Sequence, residues 1–202
     1  PVGGTAVSYL KENKMKKSYL FLTILFLLYF GCDDENSCDV ELWGECYSIP
    51  NTDSLNFSMH QLTGPIPPEI GKLTNLTFLS LATNQLTGPI PPEIGKLTKL
   101  IKLNLGTNQL TGPIPQEIGN LVNMTHLQLW YNQLTGIIPP EIWNLKNLEG
   151  LGLANNQFTG EIHKDIGNLT NLTGLNLSSN QLTGKIPDNL CDIYPNLSFL
   201  FS

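Results

Sequence analysis

Hydrophobic and polar positions recur along most of this chain with a period of 24 residues. Residues 62–85 read LTGPIPPEIGKLTNLTFLSLATNQ, and closely similar segments occupy 86–109, 110–133, 134–157 and 158–181. Within a segment, Leu79 and Leu81 alternate with variable residues, which is the period of two that is typical of a short β-strand. A fixed period of this length predicts a solenoid in which successive coils stack on one another.

Polar and special residues also recur at fixed positions in every segment. An Asn follows each strand, and a Gly-x-Ile-Pro stretch comes after it, except that His163 replaces the Pro in one case. We expect the Asn to lie buried at a corner, where its amide both accepts from and donates to backbone groups. The Gly gives a permissive backbone position, the Ile points inward and the Pro fixes φ. The predicted structural Asn ladder consists of Asn84, Asn108, Asn132, Asn156 and Asn180.

The consensus LxxLxLxxNxLTGxIPxxIGxLxN resembles the plant-type leucine-rich repeat. This resemblance implies an α/β-type solenoid, a right-handed superhelix with a concave parallel β-sheet and 24-residue repeats. The Gly-x-Ile-Pro stretch would open a second short strand or turn, and the convex side would be mostly loop and 3-10 structure. The units are similar to those of bacterial leucine-rich repeat surface lipoproteins and of the ectodomains of plant receptor-like kinases. We count five repeats over residues 62–181.

The first 31 residues contain a signal-peptide pattern. An uncharged apolar run follows Met15, Lys16 and Lys17, and it is too short to span a membrane. Residues 15–31 are therefore predicted to be a signal peptide, and residues 1–14 an upstream or non-native segment. Gly31-Cys32 resembles a bacterial lipobox, which implies a lipid anchor on Cys32. The alternative is ordinary secretion with a free or paired Cys32 thiol.

Both ends of the repeat array are expected to be atypical, because a stack of coils exposes its apolar core there. Residues 32–61 are predicted to be a linker and a cysteine cap. The segment CDVELWGECYS resembles the N-terminal cap of extracellular leucine-rich repeats, which implies a Cys38–Cys46 disulfide. Residues 182–202 begin an incomplete sixth repeat that ends within a strand, and the chain is expected to have continued. Cys191 has no later partner in the sequence.

Composition and charge exclude several functions. The chain has 17 acidic residues and 11 basic ones, all Lys, and its formal net charge is −6. A nucleic-acid partner is not expected, because there is no basic patch and no Arg. An enzyme is not expected either, since the sequence has no HExxH, phosphate-loop or GxSxG motif. We expect no cofactor, and no metal site, because the three His lie in different coils.

A candidate ligand surface lies on the concave sheet, where side chains flanking the inward Leu are free to differ between repeats. The third repeat stands out because it carries two aromatic and two polar residues there. Exposed Trp and Tyr are enriched at binding hot spots. The predicted ligand-binding residues are His126, Gln128, Trp130, Tyr131, Lys102, Asn104 and Phe78. The alternative is that these positions have drifted without function. Trp143 replaces the Gly of its register, which indicates local packing.

The sequence therefore predicts a secreted or lipid-anchored module that binds a protein, peptide or polysaccharide. We expect it outside the cytoplasm, as a cell-surface or periplasmic lipoprotein or as a secreted protein. An alternative is a fragment of a receptor-like kinase ectodomain or of a polygalacturonase-inhibitor-like defence protein. A further alternative is ice binding through a row of six Thr with the spacing of stacked strands, although their hydroxyls are expected to bond the neighbouring turn. That row is Thr63, Thr87, Thr111, Thr135, Thr159 and Thr183.

Overall fold

The structure is a computed structural model that describes residues 38–190. The predicted upstream segment, the signal peptide, the lipidated Cys32 and the unpartnered Cys191 lie outside the described residues. The boundaries assigned to those segments from the sequence stay predictions.

Short strands alternate with 3-10 helices along the described chain. The strands, numbered in chain order, are β1 (Val40–Leu42), β2 (Glu45–Tyr47), β3 (Ser54–Asn56), β4 (Thr63–Pro65), β5 (Phe78–Ser80), β6 (Gln85–Gly88), β7 (Lys102–Asn104), β8 (Gln109–Gly112), β9 (His126–Gln128), β10 (Gln133–Ile137), β11 (Gly150–Gly152), β12 (Gln157–Glu161), β13 (Gly174–Asn176) and β14 (Gln181–Thr183). The 3-10 helices are Pro68–Lys72, Pro92–Lys96, Gln116–Asn120, Pro140–Asn144 and Lys164–Asn168. None of the elements that lie wholly within residues 38–190 is an α-helix.

Two parallel sheets run the length of the repeat array. The first sheet has the order β3-β5-β7-β9-β11-β13, and the second has the order β4-β6-β8-β10-β12-β14. Each repeat adds one strand to each sheet, so a residue in the first sheet pairs with the residue one period later. Leu79, for example, lies opposite Leu103, and Leu103 lies opposite Leu127. The predicted solenoid class, with 3-10 turns joining short parallel strands, is confirmed.

The core is a continuous column of aliphatic side chains between the two sheets and the 3-10 helices. The central Leu of each strand in the first sheet faces inward, and Leu79, Leu127 and Leu151 are at most 1% exposed. Burying each such side chain contributes about 1.5–3 kcal/mol. A one-residue slip of any strand would turn its Leu outward, so the pattern itself fixes the register.

The recurring Asn side chains form an inward-facing hydrogen-bond ladder at the corner between the sheets. Asn156 Nδ2 donates to the carbonyls of Leu129 and Leu153, at 3.0 and 3.1 Å. Its Oδ1 accepts from the backbone N–H of Leu134 at 3.0 Å. Each amide thus joins two coils and satisfies backbone groups that the tight corner leaves without strand partners. The same pattern is repeated at Asn84, Asn108, Asn132 and Asn180.

An antiparallel hairpin of β1 and β2 covers the N-terminal end of the core. Cys38 and Cys46 are joined by a disulfide, with Cα atoms 5.1 Å apart, as the cap resemblance implies. Val40 and Leu42 extend the apolar column, being 3% and 1% exposed. Burial, assisted by the charge of Glu45, raises the pKa of the Tyr47 phenol above its usual value. The hairpin therefore supplies the closure that the first coil cannot supply for itself.

Candidate functional site

The outer face of the first sheet presents the positions that differ most between repeats. In the third repeat, His126 and Gln128 lie on β9, and Trp130 and Tyr131 follow shortly after it. Because Leu127 and Leu129 between them are fully buried, these four side chains lie on the outer face. The sequence-predicted centre of the ligand surface is thus assembled on one coil.

Trp130 lies over a glycine of the preceding repeat. A Cβ placed on Gly106 would be 2.8 Å from Trp130 Cε2, 3.0 Å from Cδ2 and 3.1 Å from Nε1. These similar distances show that the pyrrole part of the indole covers the Gly106 backbone. Any side chain at residue 106 would have to displace the ring, so Gly106 makes the seat of the indole.

His126 and Gln128 lie over glycines of the following repeat, where a Cβ on Gly152 would also be 3.1 Å from Trp130 Cδ1. A Cβ on Gly152 would clash with Gln128 Oε1, and a Cβ on Gly150 would lie 3.0 Å from His126 Cδ2. The His126 ring is also held by a 2.9 Å hydrogen bond between its Nδ1 and Thr125 Oγ1. The large side chains of the third repeat therefore occupy space that glycines leave open on both neighbouring repeats.

Tyr131 forms a wall beside Trp130. The two ring centroids are 5.6 Å apart and the ring planes meet at 83°. Tyr131 is 57% exposed and has a positive φ of 52°, in the register that has positive φ in every repeat. An edge-to-face aromatic pair of this kind contributes about 0.5–1.5 kcal/mol beyond its buried area. The pair presents a rigid, mostly apolar corner to solvent.

Two adjoining cavities open on the C-terminal side of this aromatic corner. The larger, of about 480 Å³, is lined by Gln128, Trp130, Tyr131, Gly152, Ala154, Asn155, Asn176, Ser178 and Ser179. The smaller, of about 200 Å³, is lined by Gln128, Gly150, Leu151, Gly152, Gly174, Leu175 and Asn176. No residue in either lining is Asp, Glu, Lys or His.

Only part of the predicted ligand surface borders these cavities. Gln128, Trp130 and Tyr131 line the larger one, whereas Lys102, Asn104 and Phe78 lie on preceding repeats and line neither. Asn104 instead uses its Oδ1 to accept the backbone N–H of Gly106 at 3.0 Å. The small polar residues of the fourth and fifth repeats were not selected from the sequence, because small size alone did not distinguish a cavity from an unremarkable surface.

Comparison with known proteins identifies the repeat. A family model described as "Leucine-rich repeat region" matches residues 55–201. The chain belongs to the leucine-rich repeat family. A search of curated proteins finds no match.

Solved leucine-rich repeat structures resemble this chain closely. It is 41% identical to a TDR receptor, with a TM-score of 0.72, over 74% of this chain and 26% of that chain. It is 43% identical to the ectodomain of the Arabidopsis receptor kinase HAESA in complex with an N-terminal extended IDA peptide hormone ligand, with a TM-score of 0.65, over 69% and 24%. It is 36% identical to a plant ice-binding protein, with a TM-score of 0.64, over 68% and 44%.

This leucine-rich repeat chain spans about a quarter of the length of the two receptors. The predicted resemblance to receptor ectodomains is confirmed. A disulfide-closed cap together with ectodomain relatives is typical of extracellular chains. Between residues 38 and 190, no helix has the length and apolar character that crossing a bilayer requires.

The described part of the leucine-rich repeat brings no three potential metal ligands together. His60 occupies the corner register of the first coil, where its Nδ1 lies 2.8 Å from the Ser58 carbonyl. His163 precedes a 3-10 helix, and its Nδ1 accepts the backbone N–H of Asp165 at 3.2 Å. The three histidines lie on different coils, and each has a hydrogen-bond partner within two residues of it in the sequence.

Proposed function

We propose that this leucine-rich repeat binds a peptide or a peptide segment of a protein on the outer face of its first sheet. The observation that carries this proposal is the aromatic corner of Trp130 and Tyr131, seated on Gly106 and facing the 480 Å³ cavity. A rigid ring that is already fixed loses little entropy when a ligand covers it. The related HAESA ectodomain, whose complex holds a peptide hormone, makes a peptide the first ligand class to test.

The site is suited to binding and has no arrangement for group transfer. Its polar groups are carboxamides and hydroxyls, which donate and accept hydrogen bonds without changing charge near neutral pH. Tyr131 is 57% exposed, and no hydrogen bond within residues 38–190 engages its hydroxyl. We therefore propose recognition without catalysis and without a cofactor.

Capture of random short peptides displayed on phage tests the proposal. We expect enrichment on the immobilised wild-type chain and loss of captured peptides when Trp130→Ala and Tyr131→Ala are combined. Truncating such anchors costs about 2 kcal/mol or more, which corresponds to about 30-fold in affinity. Gln109→Ala, an exposed position on the second sheet, is the matched control and should retain capture.

Equal capture by the double variant would remove the aromatic corner from the binding surface. A glycan array run in parallel distinguishes a peptide ligand from a polysaccharide, since an indole and carboxamides can also bind a sugar ring. Peptide capture with an inactive array favours the peptide ligand, and the reverse result would replace it with a polysaccharide.

We further propose that the module works outside the cytoplasm, after removal of the signal peptide at residues 15–31. The finer alternatives are a lipid anchor on Cys32, simple secretion, or membership in a longer receptor-like or inhibitor-like protein. Mass spectrometry of the mature N-terminus distinguishes the first two, because only lipidation adds a diacylglyceryl mass to Cys32. Reading the gene past Ser202 addresses the third, where a receptor would continue into a membrane span and a kinase.

A second candidate function is ice binding through the second sheet. Six Gln-x-Thr triplets follow one another along this sheet, five of them within its strands, and parallel strands stack about 4.7–4.9 Å apart. The expectation that the Thr hydroxyls bond the neighbouring turn is wrong for most of the row. Thr183 Oγ1 donates to the Gly160 carbonyl at 3.4 Å, but the other five hydroxyls have no hydrogen bond within residues 38–190. Unbonded hydroxyls at a fixed spacing, on residues that are exposed except for the half-buried Thr135, and the likeness to a plant ice-binding protein favour this candidate.

A thermal-hysteresis measurement tests ice binding directly. The wild-type chain should open a gap between melting and freezing points, and Thr111→Lys in the middle of the row should close it. Trp130→Ala, on the other sheet, serves as the control and should leave the gap intact. Coincident melting and freezing points for the wild type would eliminate this candidate.

A further inference from the structure

The floor of the smaller cavity consists of glycine backbone. Three glycines line it: Gly150, Gly152 and Gly174. The first three repeats have larger side chains at the equivalent positions, for example Phe78 and Lys102. At Gly174 the space above the backbone is open, because a Cβ there would have no neighbour closer than 3.9 Å, the Glu149 carbonyl oxygen. Gly150 and Gly152 are buried beneath His126 and Gln128, so Gly174 is the glycine where a ligand can approach the sheet backbone closely.

The polar groups around this floor are uncharged and partly unoccupied. The Gln128 carboxamide lies over Gly152 and makes no hydrogen bond to the rest of residues 38–190. Asn176 Oδ1 accepts from Ser178 N and Oγ, at 3.1 and 2.7 Å, which leaves its Nδ2 as a donor. Gln128 therefore offers both a donor and an acceptor, and Asn176 offers a donor, across the same cavity.

The chemistry of the lining selects against a charged ligand group. Neither cavity has an ionised side chain in its lining, so a ligand charge enclosed there would lose water without gaining a partner. A peptide main chain has the opposite character, because each unit presents one N–H and one C=O. Carboxamides match such units with paired hydrogen bonds, and glycine backbone allows them to come near.

We propose that the two cavities form one subsite for an uncharged stretch of peptide main chain, which packs on Gly174 and is hydrogen-bonded by Gln128 and Asn176. This subsite rests on the proposed peptide-binding function and names the part of the ligand that it takes. The stretch has uncharged side chains at this point, because the lining of the two cavities offers no partner for an ionised group.

Adding a methyl group to the floor tests the subsite. Gly174→Ala introduces no contact within the protein closer than 3.9 Å, so the variant should fold and unfold like the wild type. The probe is the set of displayed short peptides enriched on the wild-type chain. We expect Gly174→Ala and Gln128→Ala each to weaken these peptides by about tenfold or more. Ser54→Ala, exposed on the same sheet but outside both cavities, should leave affinity unchanged.

Ionic strength gives an independent readout. Peptide affinity should change by less than about twofold between about 0.05 and 0.5 M salt, because no ion pair forms in the subsite. Enriched peptides that share a charged residue and bind more weakly in salt would overturn the subsite, and so would undiminished affinity for Gly174→Ala.

The outcomes separate this proposal from the proposed function. Loss of capture in the Trp130 and Tyr131 double variant, with full affinity in Gly174→Ala, keeps the binding function and removes the subsite. A library that yields no peptide on the wild-type chain removes both. Weakening by Gly174→Ala and Gln128→Ala, with unchanged unfolding, supports both together.

Discussion

Trp130 and Trp143 show two ways in which a regular solenoid takes in an aromatic residue. Trp130 lies on the outer face of the first sheet, seated on Gly106 of the preceding repeat. Trp143 lies in the 3-10 helix Pro140–Asn144 and is 1% exposed. The first arrangement creates a surface feature beside a cavity, and the second fills the interior.

The two environments differ in how much room the stack provides. In the Trp143 register other repeats have Gly, and a Cβ on Gly71 would lie only 2.5 Å from the Glu93 carbonyl oxygen of the next coil. The 3-10 helix holding Trp143 packs less closely on its successor than the preceding helices pack on theirs. The stack therefore opens locally for Trp143, whereas on the sheet the strand spacing is kept and the neighbouring residue is Gly.

Packing explains why Trp143 is tolerated despite an unpaired polar group. Its Nε1 is buried without a hydrogen-bond partner in the described structure. An unsatisfied N–H costs about 1–3 kcal/mol. Burying the 150–250 Å² of a Trp side chain contributes roughly 4–6 kcal/mol at about 25 cal/mol per Å². The apolar contribution is larger, so Trp143 should stabilise the fold.

The largest expected effect is on stability, from Trp143→Ala. Removing the indole leaves a cavity between two coils, and we expect a loss of about 3–5 kcal/mol in the free energy of unfolding. Urea denaturation followed by far-ultraviolet circular dichroism measures this loss. Trp130→Ala is the matched control, and a similar loss in both variants would erase the distinction between the two sites.

The next effect is on binding, from Trp130→Ala. Peptides captured by the wild type should bind about 30-fold more weakly, which is the effect of losing about 2 kcal/mol. The free energy of unfolding should fall by about 1–2 kcal/mol, less than for Trp143→Ala, because the indole is only partly buried. A large binding loss with a small stability loss is what separates Trp130 from Trp143. If the loss of affinity were explained entirely by a larger unfolded fraction of Trp130→Ala, the binding role of Trp130 would be contradicted.

A smaller effect concerns the polar group of Trp143. Trp143→Phe removes the unpaired N–H but also part of the packed volume, and these changes oppose each other. We expect a net change within about 1.5 kcal/mol, compared with the larger loss for Trp143→Ala. The same denaturation experiment measures it. Equal losses for Phe and Ala would mean that volume alone decides at this position.

The smallest effect is a displacement of the Trp130 ring by Gly106→Ala. The added methyl would lie 2.8 Å from the indole, so the ring must lift away from the sheet. Acrylamide quenching of tryptophan fluorescence should then become more efficient, with Trp130→Phe identifying the contribution of this residue. Gly174→Ala, which adds a methyl in open space, should leave quenching unchanged. If Gly106→Ala does the same, Gly106 is not the seat of the ring.

The repeat architecture could be predicted from the sequence because the same pattern of buried and exposed positions recurs in every 24-residue unit. The Asn ladder illustrates this point, since an invariant polar residue after a buried strand has few uses besides satisfying corner backbone. It also placed Trp130 on the outer face of the sheet, because Leu127 and Leu129 had to face inward. It did not predict that His126 and Gln128 lie over glycines of the fourth repeat, or that the Trp130 indole lies between Gly106 and Gly152 of the two neighbouring repeats.

The sequence by itself therefore determined the coil, its register and which side chains face outward, since periodic burial of Leu and Ile allows only one such arrangement. The tertiary structure decided where a cavity forms, which Thr hydroxyls stay unbonded and how the stack opens around Trp143. These features depend on distances between residues about one period apart, and such distances are set by the particular side chains that meet across neighbouring coils.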